Sequence, residues 1–121
     1  MRKFLITLGL FATLAVASQN TECKIRFEDD NIDPRSTFVV AIKKCMILSA
    51  QNSACVTKKS AKDSTVYTLE NDLLCTQVYG NGNKHQSFIV FKESDNAKTS
   101  VTVNSDESFK LSRGFGYRFI N

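Results

Sequence analysis

The stretch Asp33-Pro-Arg-Ser-Thr-Phe-Val-Val-Ala-Ile-Lys-Lys-Cys-Met-Ile-Leu-Ser-Ala50 decides the fold class, because its pattern fits two kinds of element. In a helix, Asp33 would cap the N-terminus and Pro34 would occupy the first turn. The helical spacing then gives one apolar face, made of Phe38, Ala41, Ile42, Cys45 and Leu48. In a strand, the run 38–42 would be favourable because β-branched residues lose side-chain freedom in helices. The β-branched run favours a strand here.

The sequence around this stretch is typical of a β-protein. Short β-branched or aromatic runs alternate with turn-forming residues, which is the usual sign of strands. The predicted strands cover residues 23–27, 64–69, 73–79, 87–91, 99–103, 108–111 and 115–120. The run 87–91 is almost continuously apolar, as expected of a central strand covered on both faces. Gly80-Asn-Gly-Asn83 predicts a turn, since these residue types tolerate positive φ angles.

These elements predict one of two architectures. If residues 34–50 form a strand, the fold is an all-β, disulfide-stabilised antiparallel sandwich or barrel of about seven or eight short strands. If they form a helix, the fold is α+β, with one helix near 34–50 packed on an antiparallel sheet. No repeat, linker or low-complexity segment divides the chain, so we expect a single domain. The all-β form is our preferred prediction.

The N-terminus has the pattern of a secretory signal peptide. Arg2 and Lys3 precede an uncharged, mostly apolar segment of 13 residues, and Ala15 and Ala17 have the spacing of a cleavage site. The apolar segment is shorter than the roughly 20 residues that a membrane-spanning helix needs. We therefore predict that residues 1–17 are a signal peptide, cleaved after Ala17 or Ser18, and that residues 18–121 form a single secreted domain.

The net charge disfavours partners that are recognised mainly by electrostatics. The full chain carries 16 basic and 12 acidic residues, and loss of Arg2 and Lys3 with the leader leaves 14 against 12, a net charge of +2. Nucleic-acid binding depends on clustered phosphate contacts, so we expect no nucleic-acid partner. No second apolar segment of spanning length follows the leader, so we also expect no membrane span. The short charged clusters at 58–62 and 28–30 are expected to be solvated loops.

Four cysteines follow the predicted leader, at positions 23, 45, 55 and 75. An even number of cysteines in a small exported chain indicates two disulfides. A metal site is not expected, because there is no Cys-x-x-Cys pair and only one histidine. Three pairings are possible. We favour Cys45–Cys55 with Cys23–Cys75, and nearest-neighbour pairing is the second choice.

His85 is the only candidate general base, since it is the one histidine in the chain. It follows the Gly80–Asn83 turn, and no motif fixes a second acid, base or cation beside it. The sequence also lacks a Gly-x-Ser-x-Gly nucleophile elbow and a dinucleotide fingerprint. We therefore expect no enzymatic activity and no cofactor. The alternatives are a small secreted hydrolase, of the ribonuclease kind, that uses His85, or a secreted inhibitor.

The segment Gly114-Phe-Gly-Tyr-Arg-Phe119 is the one candidate binding site. In an extended chain its aromatic residues project from one face, and its glycines and arginine project from the other. These aromatic residues could form part of the core. They could also form an exposed ridge that stacks on a sugar ring or enters a partner's pocket. The residues of this candidate site are Phe115, Tyr117, Arg118 and Phe119.

Taken together, these features predict a secreted, non-enzymatic protein that acts outside the cell by binding an extracellular protein or glycan. The absence of tryptophan makes a glycan the less favoured partner. Venom, saliva and host defence are settings in which small exported proteins of this size act.

Overall fold

The computed structural model describes residues 22–29, 37–52 and 54–120, and the predicted signal peptide lies outside these ranges. The described chain contains eight strands, one helix and two disulfides. The elements, in chain order, are β1 (Lys24–Glu28), α1 (Thr37–Asn52), β2 (Val56–Ser60), β3 (Ser64–Leu69), β4 (Leu73–Tyr79), β5 (Lys84–Lys92), β6 (Ser100–Asn104), β7 (Phe109–Leu111) and β8 (Phe115–Phe119). The protein is thus a small, mostly β sandwich held by disulfides, with one helix.

The strands form two four-stranded sheets. Sheet I has the order β1-β4-β5-β8, and sheet II has the order β2-β3-β6-β7. All neighbours are antiparallel except β1 and β4, which run parallel. The helix connects β1 of sheet I to β2 and β3 of sheet II. The chain then returns to sheet I for β4 and β5, passes back to sheet II for β6 and β7, and ends in sheet I with β8.

Residues alternate between the two faces of each strand, and the alternation builds one core. In sheet I, Ile25 pairs with Cys75 and Cys75 pairs with Phe88, so one buried row crosses three strands. In sheet II, Tyr67 pairs with Val101 in the same way, and both are buried. The helix contacts β1 and β4 of sheet I and β2 and β3 of sheet II. Both sheets and the helix therefore share a single core.

The ambiguous segment is a helix, so the prediction of a strand over residues 38–42 was wrong and the helical alternative is correct. Its buried residues recur at helical spacing and form one stripe: Ala41, Ile42, Cys45, Met46 and Ser49. Burial of this stripe outweighs the helix propensity lost at β-branched residues, which is only a few tenths of a kcal/mol per residue. At the last turn, the Asn52 side-chain amide donates to the Leu48 carbonyl at 2.8 Å.

The disulfides join Cys23 to Cys55 and Cys45 to Cys75, so the pairing that we favoured and the nearest-neighbour pairing are both wrong. The helix explains this. From Cys45 to the end of α1 the chain rises about 10 Å, more than the roughly 7 Å that a disulfide can span between Cα atoms. Cys45 lies on the buried stripe of α1 and there meets Cys75 of β4.

The charged clusters differ from the expected solvated loops. Lys58 and Lys59 are exposed, but they lie in β2, a strand whose weakly apolar sequence did not reveal it. Asp29 is buried and binds Lys44 of α1, with 2.9 Å between Nζ and Oδ2. Asp30 lies outside the described residues. The Asp29–Lys44 contact ties the end of β1 to the helix.

Removal of each disulfide tests the role of α1 in the core. The loops span 30 and 32 residues, so loss of either bond should lower the free energy of unfolding by about 3 to 4 kcal/mol through the unfolded chain. Cys45 and Cys75 are both fully buried, whereas Cys23 is half-buried. The Cys45→Ala/Cys75→Ala variant also creates a cavity, so it should lose about 1 kcal/mol more in urea unfolding than Cys23→Ala/Cys55→Ala. Equal losses in the two variants would contradict this ranking.

Candidate functional site

The strand β8 places its aromatic residues on the inner face of sheet I. Tyr117 pairs with Val90 and Phe119 pairs with Phe88, and the two β5 residues are fully buried. Phe115 is half-buried and packs against the core. β8 is an edge strand of sheet I, so its inner face is only partly covered by the core.

Phe38 of α1 packs on this end of the sheet. Its ring centroid lies 4.6 Å from that of Tyr117, 4.6 Å from that of Phe119 and 5.1 Å from that of Phe88. Tyr117 and Phe119 nevertheless remain 48% and 47% exposed. Phe38 therefore supports the two rings from one side and leaves their other side open to solvent.

Exposed apolar residues are concentrated at this edge. Among the described residues, the large apolar side chains that are exposed are Tyr117, Phe119, Ile120 and Val39. The first three lie in β8 or follow it, and Val39 is the neighbour of Phe38 in α1. We name the segment Phe115–Ile120 the β8 surface. The sequence allowed these aromatic residues to be either part of the core or an exposed ridge. In the structure Phe115 packs on the core, whereas Tyr117 and Phe119 are half-exposed.

The outer face of β8 has a different shape. Gly116 pairs with Phe91, and a Cβ atom built on Gly116 would lie 2.6 Å from both the ring and the carbonyl oxygen of Phe91. The Phe91 side chain therefore lies across Gly116 and reaches towards the sheet edge. Arg118 is exposed on the same outer face.

The backbone of β8 is open on one side. The Ile120 N–H donates to the Ser87 carbonyl at 2.9 Å. Hydrogen-bonded pairs alternate along an antiparallel ladder, so the even-numbered residues of the β8 surface, Gly116, Arg118 and Ile120, are the ones that form hydrogen bonds with β5. The N–H and C=O groups of Phe115, Tyr117 and Phe119 consequently point away from β5. No described strand pairs with that side of β8.

The other three sheet edges carry features that oppose pairing with another chain. The edge strand β1 alternates charged residues at 24, 26 and 28, β2 carries Lys58 and Lys59, and β7 is only three residues long. Charged and short edge strands are the usual protection against edge-to-edge association. In contrast, β8 has aromatic residues at every second position and a single charge, Arg118. It is the least protected edge of the described structure.

His85 lies apart from this surface. It is exposed and pairs with Val78, near the Gly80–Asn83 turn, whereas β8 pairs only with Phe88–Lys92 of the same strand. The turn itself has the predicted conformation, since Gly80, Asn81 and Gly82 all have positive φ. A depression of about 440 Å³ lies beside it, but His85 is not among its lining residues, which are Arg26, Phe27, Glu28, Val78 and Gly82. In the described part of the chain, no three histidine, cysteine or acidic residues are grouped as metal ligands would be.

Asp106 in the β6–β7 turn has a pKa below its ordinary value of 3.8. The Ser108 hydroxyl donates to its carboxylate at 2.5 Å and the Ser108 N–H donates at 3.0 Å, and both bonds stabilise the charged form. The carboxylate is fully exposed, so this contact orders the turn and forms no enclosed site.

Comparisons with models of protein families, with curated proteins and with solved structures found no match to the chain. Within the described residues, no helix has both the length and the apolar composition that crossing a bilayer requires.

The sequence identified the aromatic residues of β8 but missed the residues that shape their surroundings. The preferred prediction placed Phe38 in a strand, and only the helical alternative placed it on a buried helix face. No sequence signal placed its ring against Tyr117. The contribution of Phe91 was also missed. Glycine within a strand is typical of a close backbone approach, and at Gly116 the residue that approaches is Phe91.

Replacement of Gly116 tests the packing that holds β8 in place. A methyl group there would overlap the Phe91 carbonyl oxygen, which cannot move without breaking the β5–β8 pairing. We expect Gly116→Ala to lower the free energy of unfolding by about 2 kcal/mol or more. Gly82→Ala is the control, because its Cβ would meet nothing within 4 Å and only its positive φ is unfavourable. Urea unfolding should rank Gly116→Ala as the more damaging change, and the reverse order would refute the packing argument.

The titration of Asp106 tests the turn geometry. Its carboxyl should titrate below 3.8 when followed by NMR, because the Ser108 donors favour the charged form. Ser108→Ala removes the hydroxyl donor, so the pKa should rise towards 3.8 and stop short of it, since the backbone donor remains. Ser105→Ala serves as the control and should leave the titration unchanged. An unaltered pKa in Ser108→Ala would show that the hydroxyl bond is absent in solution.

Proposed function

We propose that this protein is exported from the cell and acts outside it, without catalysis, by binding another protein through the β8 surface. The observation that carries the proposal is the coincidence of exposed apolar side chains with an unpaired strand edge at Tyr117 and Phe119. Venom, saliva and host defence remain the settings proposed for such a protein, on the basis of its size and its predicted leader.

Two features support export. The first 17 residues have the three-part pattern of a signal peptide. The two disulfides are typical of proteins that fold in an oxidising compartment, where the bonds form and persist. The predicted leader and the disulfides are independent features, and both favour export from the cell.

The exposed apolar area is large enough to support binding. Tyr117, Phe119 and Ile120 are each about half exposed, which leaves roughly 300 Å² of side-chain surface in water. Covering this area would contribute on the order of 7 kcal/mol before the entropic cost of association. That gain alone would support only weak binding, so backbone hydrogen bonds at the edge would be needed to strengthen it.

A protein partner fits this surface better than the other classes. The outward N–H and C=O groups of β8 have the spacing needed to form hydrogen bonds with another extended peptide chain. A sugar ring does not present donors and acceptors at that spacing. The chain lacks tryptophan, the residue best suited to stacking on sugars, and its net charge without the leader is only +2. These features favour a protein over a glycan and over nucleic acid.

The proposal of a non-catalytic role rests on the chemistry of the residues. The only histidine, His85, is exposed on β5 and does not line the depression beside it. The four cysteines are paired in disulfides and so cannot act as thiolate nucleophiles. The β8 surface itself offers one aromatic hydroxyl, one guanidinium and no carboxylate.

Photo-crosslinking tests the proposal at single residues. The exported chain with Tyr117→p-benzoylphenylalanine should, on irradiation in extracellular fluid of the source, form a covalent adduct with a discrete partner. The partner would be identified by mass spectrometry, and its affinity for the chain should fall about tenfold or more in Tyr117→Ala.

The matched control carries the same photoreactive group at Lys59, an exposed residue of the β2 edge. The proposal expects a specific adduct at position 117 and none at position 59. Equal labelling at the two positions, or no adduct at position 117, would refute the β8 surface as a binding site.

A further inference from the structure

We propose that the partner of the β8 surface is a second copy of this chain, which pairs its own β8 antiparallel to the first about a two-fold axis at Tyr117. This inference rests on the proposed binding role of that surface and names its occupant. The pairing would join two copies of sheet I into one continuous eight-stranded sheet.

The backbone of β8 is suited to this pairing. Phe115, Tyr117 and Phe119 each direct one N–H and one C=O away from β5. A two-fold axis at Tyr117 brings Tyr117 opposite Tyr117 of the second copy, and Phe115 opposite its Phe119. Every outward N–H of one strand then meets an outward carbonyl of the other, as in a regular antiparallel ladder.

Neighbouring registers are less favourable. An axis at Arg118 would place the two arginines directly opposite each other, and like charges at such positions are destabilising. An axis at Gly116 would leave Phe119 opposite Arg113, outside the strand of the second copy. Only the axis at Tyr117 pairs all three aromatic residues of β8 with one another.

The inner face of the joined sheet would then gain a continuous aromatic row. Directly opposite residues have Cα atoms about 5.5 Å apart, within contact distance for aromatic rings, and such cross-strand aromatic pairs stabilise a sheet. The sides of Tyr117 and Phe119 that Phe38 leaves open would be covered by Tyr117 and Phe115, respectively, of the second copy.

The outer face is also complementary to itself. In this register Arg118 of one copy lies opposite Gly116 of the other, which has no side chain to obstruct it. The ring of Phe91 lies across Gly116 and extends towards the edge. The Arg118 guanidinium would therefore reach the Phe91 ring of the other copy, a cation–π contact that forms twice by symmetry.

The size of the contact sets its strength. A five-residue strand pair with flanking side chains covers less than the roughly 1,600 Å² of a standard stable interface. We therefore expect a reversible dimer with a dissociation constant of about 10 to 100 μM.

Sedimentation equilibrium of the oxidised, exported chain tests the inference directly. Over about 5 to 500 μM, the wild-type protein should change from mostly monomer to mostly dimer. Tyr117→Lys places two ammonium groups at the axis and removes an aromatic pair, so the dimer should weaken roughly 30-fold or more. Thr57→Lys, the same charge change on the β2 edge, should leave the dissociation constant unchanged.

A second variant covers the case in which Tyr117→Lys fails to fold, which circular dichroism and the urea midpoint would reveal. The Arg118 side chain is exposed, so Arg118→Ser should fold normally and weaken the dimer about tenfold through loss of two cation–π contacts. Arg118→Lys, which keeps the cation, should retain part of the affinity.

The register is tested by a crosslink between copies. Phe119→p-benzoylphenylalanine in an equal mixture of ¹⁴N and ¹⁵N chains should give mixed-isotope adducts that join position 119 to the peptide containing Phe115. A monomer at all concentrations, or a dimer that is insensitive to Tyr117→Lys and Arg118→Ser, would overturn the inference. A monomer that still forms the specific adduct at position 117 in extracellular fluid would overturn only this inference and would support the binding role itself.

Discussion

The disulfide between Cys45 and Cys75 is the constraint on which the rest of the structure depends. It joins the buried stripe of α1 to the interior of β4, and both of its ends are fully buried. Because it fixes which face of the helix turns towards sheet I, it also fixes the position of Phe38, seven residues or about two turns earlier on that face. The ring contacts of Phe38 with Tyr117 and Phe119 follow from this placement. A bond in the core thus determines the shape of a surface about two helical turns away.

The edge strand β8 is held in one register as well as exposed, and both properties bear on the proposed binding role. Gly116 fits beneath Phe91 only in the observed register, and a slip by one residue would turn the aromatic face outwards. The strand is therefore held in one register by β5, from Phe88 to Lys92, and supported from above by Phe38. A preformed edge loses little conformational entropy when another strand is added to it. This packing distinguishes β8 from a terminal strand that is merely incompletely buried.

The sequence predicted those parts of the fold that local pattern controls. The bounds of β3 and β4 agree with the predicted runs 64–69 and 73–79, because their alternation is strong and turn residues flank them. β2 was missed because Thr57 to Ser60 are exposed and give no apolar alternation. The helix and the disulfide pairing were misjudged for a different reason. Burial against two sheets decided both, and neither β-branched content nor cysteine spacing contains that information. The aromatic residues of β8 were found, whereas the half-exposure of Tyr117 depends on Phe38, distant in sequence.

The difficulty of reading function from this sequence has a physical origin. Catalytic and metal sites require particular side chains at particular spacings, so they leave motifs. An open strand edge requires only that certain features be missing, namely the lysines found on β2, the alternating charges found on β1 and the short length of β7. The chemical groups that β8 offers most regularly are backbone N–H and C=O groups, which every residue except proline carries. Such a site becomes visible only when the four edges of one structure are compared, and that comparison is what distinguishes β8.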